Sequence, residues 1–131
     1  LVNLDWASAM EEICARAILE SCNVTDLQFT SGHRIEVRLA LSKAQKTIGL
    51  SALSELDMGM LFYYETPTYV PFTMRETAFD LDIGHYDGSG RLIQAGTHKA
   101  YDDNYVTCAQ AFSYVLEMPA GTLPAGDFRI L

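Results

Sequence analysis

The sequence predicts a mainly β (α+β) domain: a compact antiparallel β sandwich or barrel-like sheet with an N-terminal helix and one short helix. Three observations predict it. Short segments of alternating apolar and polar residues recur along the chain, the period at which a strand turns one side to a core. Clusters of Gly, Pro, Asn, Asp and Ser separate these segments, which is the chemistry of turns. Only one stretch, Asn3 to Cys22, keeps the three- and four-residue spacing of a longer helix. The 131 residues fit one domain, and a composition 49% hydrophobic and 20% charged can build a core.

In chain order, the helical stretch places Trp6, Met10, Ile13, Cys14, Ala17 and Ile18 on one side, with Glu11, Glu12, Arg16 and Glu20 mostly opposite. Asn3 is its expected N-cap, and "SCNVTD" from Ser21 ends it. The segment "IEVRLAL", Ile35 to Leu41, alternates strictly and reads as a half-buried strand, with "LQF" before "TSGH" as its hairpin partner. Ser42 followed by Gln45 is a capping-box pattern, and Gly49 stops the short helix it opens. The continuous apolar run "GMLFYY", Gly59 to Tyr64, suits a strand covered on both faces. Pro67 and Pro71 bracket an extended segment.

Alternation returns in "FDLDIGHY", with Phe79, Leu81 and Ile83 on one side and Asp80, Asp82 and Tyr86 on the other. The turn "DGSG", Asp87 to Gly90, then leads into a returning strand "RLIQA". Gly96 to Ala111 is the longest predicted loop. In "FSYVLEM" the residues Phe112, Tyr114, Leu116 and Met118 share one face. The whole of 1–131 is read as one domain, with 1–24 a helical addition and 27–131 the β domain proper.

Charge narrows the partners. A net charge of −8 with only nine Lys and Arg disfavours nucleic acid and anionic membranes, which must be met by clustered cations. No run approaches the roughly 18 apolar residues of a membrane span, so a soluble chain is expected. Because the sequence begins with Leu, the compartment stays open between the cytoplasm and export after removal of a leader. The three cysteines, Cys14, Cys22 and Cys108, lack zinc or redox spacing and are expected to be free, mostly buried thiols. Neither a phosphate loop, a dinucleotide fingerprint nor an EF-hand spacing occurs, so no cofactor and no metal is expected.

Several segments in order carry a family resemblance: "GL" at Gly49, "GMLF" at Gly59 to Phe62, "FTMRET" at Phe72 to Thr77 and "LDI" at Leu81 to Ile83. "DGSGRLI" at Asp87 to Ile93, "YVLEMPAG" at Tyr114 to Gly121 and "GD" at Gly126 continue it. Together they resemble the domain of unknown function 192 family, across about Ile35 to Leu131. The resemblance implies a compact, mainly β sandwich or barrel-like domain with a packed helix, and no reaction. The chain departs from the family pattern at Ile48 (usually Arg), Ser51 (Met), Thr73 (Trp), Glu76 (Asn) and Asp80 (Pro), as a divergent member would.

The residues that could carry function lie in "FTMRETAFDLDI" and the apolar run before it. Arg75 can hold a carboxylate or a ligand anion with two bonds, and Asp82 is its expected partner. The favoured reading is a non-catalytic module binding a small molecule or peptide near Met60, Phe62, Met74, Arg75, Thr77 and Asp82. Two alternatives stand beside it. One is a small enzyme with Asp82 as acid or base and Arg75 positioning an anionic group. The other is a protein-interaction module using the N-terminal helix or a strand edge, with the oligomeric state open.

Overall fold

Two local hairpins start the strand pairing in this chain, and strands distant in sequence join them into one sheet. A computed structural model describes residues 6–51, 53 and 55–131, with side chains described from residue 13 onward. The helix α1 covers Trp6–Glu20, followed by strands β1 (Val24–Phe29) and β2 (Arg34–Ala40). Next come helix α2 (Lys43–Ile48), β3 (Gly59–Thr68) and β4 (Phe72–Thr73). The chain finishes with β5 (Leu81–Tyr86), β6 (Leu92–His98), β7 (Tyr105–Val106), β8 (Phe112–Pro119) and β9 (Phe128–Ile130). Seven strands form a curled half-barrel sheet in the order β6-β5-β8-β3-β2-β1-β9, and β4 pairs with β7 in a separate ribbon.

The mainly β architecture expected from the sequence is present, in its barrel-like form. One departure is that a pair in the sheet expected to be antiparallel is parallel: β2 and β3, in register from Val37–Gly59 to Ala40–Phe62. Parallel neighbours need a long connection, and the segment carrying α2 supplies it. Every other pair is antiparallel.

Alternate residues of the central strands feed two cores, one on each side of the sheet. Met60, Phe62, Leu81, Ile83 and Val115 pack with Leu19, Leu50, Met74 and Phe112 on the side that carries α2. Leu61, Tyr86 and Leu116 pack with Leu27, Phe29, Val37 and Phe128 on the other. Burying each such side chain contributes about 1.5–3 kcal/mol, so the central strands hold the fold. The period of two fails at the start of β8. Phe112 joins the first core while Tyr114, Leu116 and Met118 face the second, because the β3–β8 register shifts between Tyr63 and Thr68. Pro67, which cannot donate to a ladder, lies in that irregular stretch of β3.

Two glycines fix the β5 hairpin. Gly84 lies under the Tyr86 ring, where a Cβ would meet the ring within 3 Å. Gly90, at φ 82°, closes the 87–91 turn against the Phe128 carbonyl, and its own carbonyl accepts from Phe128 N–H at 3.0 Å. The turn is thus sewn to β9. The loop expected from Gly96 to Ala111 is shorter than the sequence suggests, since β6 runs on to His98 and β7 occupies 105–106.

From residue 13 onward, the N-terminal helix buries less than its periodicity implies. Asn3 lies outside the described residues, as do the side chains of Trp6 and Met10. Ile13 is 62% exposed, Cys14 and Ala17 are exposed, and of the described side chains only Leu19, near the helix end, enters the core. Cys22 and Cys108 are buried and free, whereas Cys14 is free on the surface. No helix among the described residues is long and apolar enough to cross a membrane.

Candidate functional site

The βαβ crossover lays α2 over one face of β3, and the segment after β3 folds back beside it. Ser42 caps the helix reciprocally: its side chain accepts from Gln45 N–H at 3.1 Å, while Gln45 Oε1 accepts from Ser42 N–H at 3.1 Å. Gly49 ends the helix, its N–H bonded to the Gln45 carbonyl at 2.9 Å. On β3, Phe62 and Tyr64 point to this same side. Phe72 of β4 meets both edge-on, with ring centroids 5.0 Å from Phe62 and 6.5 Å from Tyr64.

Between these elements lies a cavity of about 730 Å³. Its aromatic wall is Phe62, Tyr64 and Phe72; α2 and its C-cap contribute Lys43, Lys46, Gly49 and Leu50; the 71–77 segment contributes Thr73, Arg75, Glu76 and Thr77. Buried Leu50, Phe62 and Thr77 form the deep part, and exposed Lys43, Thr73, Arg75 and Glu76 ring the mouth. A cavity of this size, with one aromatic wall and a rim of polar and charged side chains, has room for a small molecule.

Glu117 of β8 reaches its floor. It sits opposite Met60 and Ile83 in the sheet register and is 6% exposed. Among the described residues it has no hydrogen-bond partner, and burial pushes its carboxyl pKa up to about 8. At neutral pH it is therefore mostly protonated, a donor rather than an anion. Burial, reinforced by the nearby Glu117, also raises the Tyr64 hydroxyl to about 12. The Lys46 ammonium lies 4.1 Å over the centre of the Tyr64 ring, and burial lowers its pKa.

The structure brings together only part of the set expected from the sequence. Phe62, Arg75 and Thr77 line the cavity. Met60 and Met74 are fully buried in the core on that side and do not line it. Asp82 lies elsewhere. Leu81 and Ile83 pack on the cavity side of β5, so the intervening Asp82 projects through to the opposite face, and the sheet separates it from Arg75.

There the Asp82 carboxylate accepts the Thr97 hydroxyl at 2.7 Å and the N–H groups of Gly121 at 2.9 Å and Leu123 at 3.1 Å. Burial would raise its pKa, but these donors outweigh that effect and hold it below the ordinary value. It is an anchor for the turn after β8. Arg75 instead meets Asp103, with Nε 3.6 Å from Oδ1, and lies over the Tyr105 ring at 5.4 Å. The expected Arg75–Asp82 pair is not formed.

Glu117 was the residue the sequence concealed. In "FSYVLEM" the alternation assigns it to the outer side, where an acid looks solvated. The usable signal was Val115 two residues earlier, since an apolar residue on that face marks it as covered too.

A half-barrel sheet crossed by one helix, with an aromatic cavity between helix and sheet, defines the class of domain. The family follows from the sequence: residues 26–128 match the model of DUF192, "Uncharacterized ACR, COG1430", and the chain belongs to that family. Of the five positions expected from the resemblance to depart from the family pattern, 48, 51, 73 and 76 line the cavity and 80 does not. No curated protein matches the sequence. Two solved structures share the fold. One, from Sinorhizobium meliloti 1021, is provisionally described as a transcription regulator; it is 24% identical with a TM-score of 0.74 over 85% of this chain and 95% of its own. The other, a protein of unknown function from Novosphingobium aromaticivorans DSM 12444, is 26% identical with a TM-score of 0.70 over 82% and 84%.

Proposed function

We propose that the domain is a non-catalytic binding module that takes a small molecule into the cavity between α2, β3 and the 71–77 segment. The observation that carries this reading is a cavity of about 730 Å³ with an aromatic wall and the Glu117 carboxyl, which has no hydrogen-bond partner among the described residues, at its floor. A ligand polar group placed against this carboxyl would gain a hydrogen bond inside the cavity. Phe62 and Thr77 would contact the ligand, and Arg75 would close one side of the mouth. Met60 and Met74 support the site through packing rather than contact, and Asp82, on the opposite face, takes no part in it.

The test is a thermal-shift screen of small organic compounds on the protein and on Thr73→Trp, which puts a large ring at the mouth. A ligand raises the melting temperature only where it binds the folded state. Compounds that stabilise the parent and not the variant support the reading; shifts of equal size in both, or none in a broad screen, defeat it.

A second reading is favoured by the same residue. A carboxyl held protonated near neutral pH is what a general acid requires, so Glu117 replaces Asp82 as the residue an enzyme would use here. Glu117→Gln separates the two: loss of turnover with retained binding supports catalysis, and binding with no turnover by the parent supports the module.

A further inference from the structure

Cations are unevenly placed on this molecule. Three of its nine Lys and Arg, namely Lys43, Lys46 and Arg75, line this cavity, against two acids among the described residues, Glu76 and Glu117. In a chain of net charge −8, that balance is opposite in sign to the molecule as a whole. Neither Lys43 nor Lys46 has a carboxylate partner among the described residues. Arg75 is only loosely paired, at 3.6 Å from an Asp103 side chain that is 92% exposed.

We infer that the cavity selects a small organic anion: an apolar, ring-sized body against Phe62, Tyr64 and Phe72, and a carboxylate or phosphate head held at the mouth by Lys43, Lys46 and Arg75. The inference rests on the binding reading above and adds the charge and shape of the ligand. The floor is compatible with it, since burial keeps the Glu117 carboxyl mostly uncharged at neutral pH and so adds little repulsion. Lys46 is held in place over the Tyr64 ring, so its charge is set at the boundary between the apolar wall and the mouth. An apolar wall meeting fixed cations is the arrangement that an amphipathic anion satisfies and a neutral molecule does not.

The experiment compares two fluorescent probes with one aromatic body: 1-anilinonaphthalene-8-sulfonate, an anion, and N-phenyl-1-naphthylamine, its neutral counterpart. Both are titrated at low salt into the whole protein, Lys46→Gln, Lys99→Gln and Thr73→Trp, with Ser51→Trp as a second plug should Thr73→Trp fail to fold. Lys99 pairs with Asp80 away from the cavity and controls for net charge alone.

The sulfonate is expected to bind at least tenfold more tightly than the amine. Lys46→Gln should weaken the sulfonate three- to tenfold and leave the amine unchanged, Lys99→Gln should change neither, and a plug should abolish both. Displacement of the dye by 3-phenylpropionate or by phenyl phosphate then identifies the head as carboxylate or phosphate; failure of both overturns the inference. Equal affinity for the two probes, with both lost in the plug variant, overturns the anion assignment and leaves the cavity reading intact. A sulfonate preference that Lys99→Gln reduces as much as Lys46→Gln also overturns it. Binding that survives both plugs, or no binding of either probe, removes the cavity reading together with the inference.

Discussion

Asp82 and Glu117 are carboxylates on adjacent central strands, and their surroundings push them to opposite protonation states. Asp82 meets one hydroxyl and two backbone N–H groups within 3.1 Å, which favour the charged form. Glu117 meets no donor among the described residues and is kept neutral by burial. Asp82→Asn removes the charge and leaves one carbonyl oxygen to face three donors. It should lower the unfolding free energy by roughly 1–3 kcal/mol in urea titrations while leaving probe affinity in the cavity within twofold. Unchanged stability, or a lost probe site, would show that Asp82 is not the turn anchor described above. The placement of Asp82 on the face away from Leu81 and Ile83 was readable from alternation. Its partners were not, because Gly121 and Leu123 are some forty residues away and reach it only through the β5–β8 register.

Elements whose geometry is decided locally were the ones legible in the sequence. The Ser42–Gln45 capping box, the Gly49 stop and the β1–β2 hairpin at 30–33 each depend on residues within a few positions of one another. By contrast β4 and β7 are two residues long and have no period to detect, and the parallel β2–β3 pair is a consequence of where α2 packs. The cavity belongs to this second group, since its walls come from α2, β3, β4 and β8. Its supporting helix is nevertheless short enough for the cap to matter. Ser42→Ala should cost about 1 kcal/mol, read as a lower urea midpoint. Because Gln45 also donates to Ser21 at 3.1 Å, loosening the cap should free the end of α1 and blur the positions of Lys43 and Lys46. A several-fold loss of anionic probe affinity is expected to accompany it. If the midpoint falls and affinity stays constant, α2 does not position the cations.

At the scale of the whole molecule, two buried titratable groups oppose each other in pH. Burial, with His98 adding to it, lowers the His85 pKa from 6.5 to about 4. Between these values the unfolded chain binds more protons, so this group makes stability rise with pH. Glu117 shifts the other way, from 4.5 to about 8, so the folded chain binds more protons in that interval and stability falls as pH rises. From about 4.5 to 6.5 the two slopes nearly cancel. Above 6.5 the Glu117 slope dominates, at up to about 1.4 kcal/mol per pH unit and flattening toward its folded pKa, so the parent protein should lose about 1 kcal/mol between pH 6.5 and 8. Asp57, held to about 2 chiefly by its two-bond pair with Arg38, acts below this window, where its contribution is lost as pH falls from 3.8. Denaturant melts at half-unit steps from pH 4 to 9 test the balance through two variants. Glu117→Gln should rise from pH 4.5 to 6.5 and then stay level. His85→Leu should fall steadily from 4.5 to 8. Since both residues sit behind the same aromatic cluster, His85 4.7 Å from the Phe112 ring and Phe112 beside Tyr64, each variant also reports whether that cluster repacks. Parallel profiles for the parent and Glu117→Gln would mean that Glu117 is ionised in the folded protein, and the neutral floor on which the ligand reading depends would be lost with it.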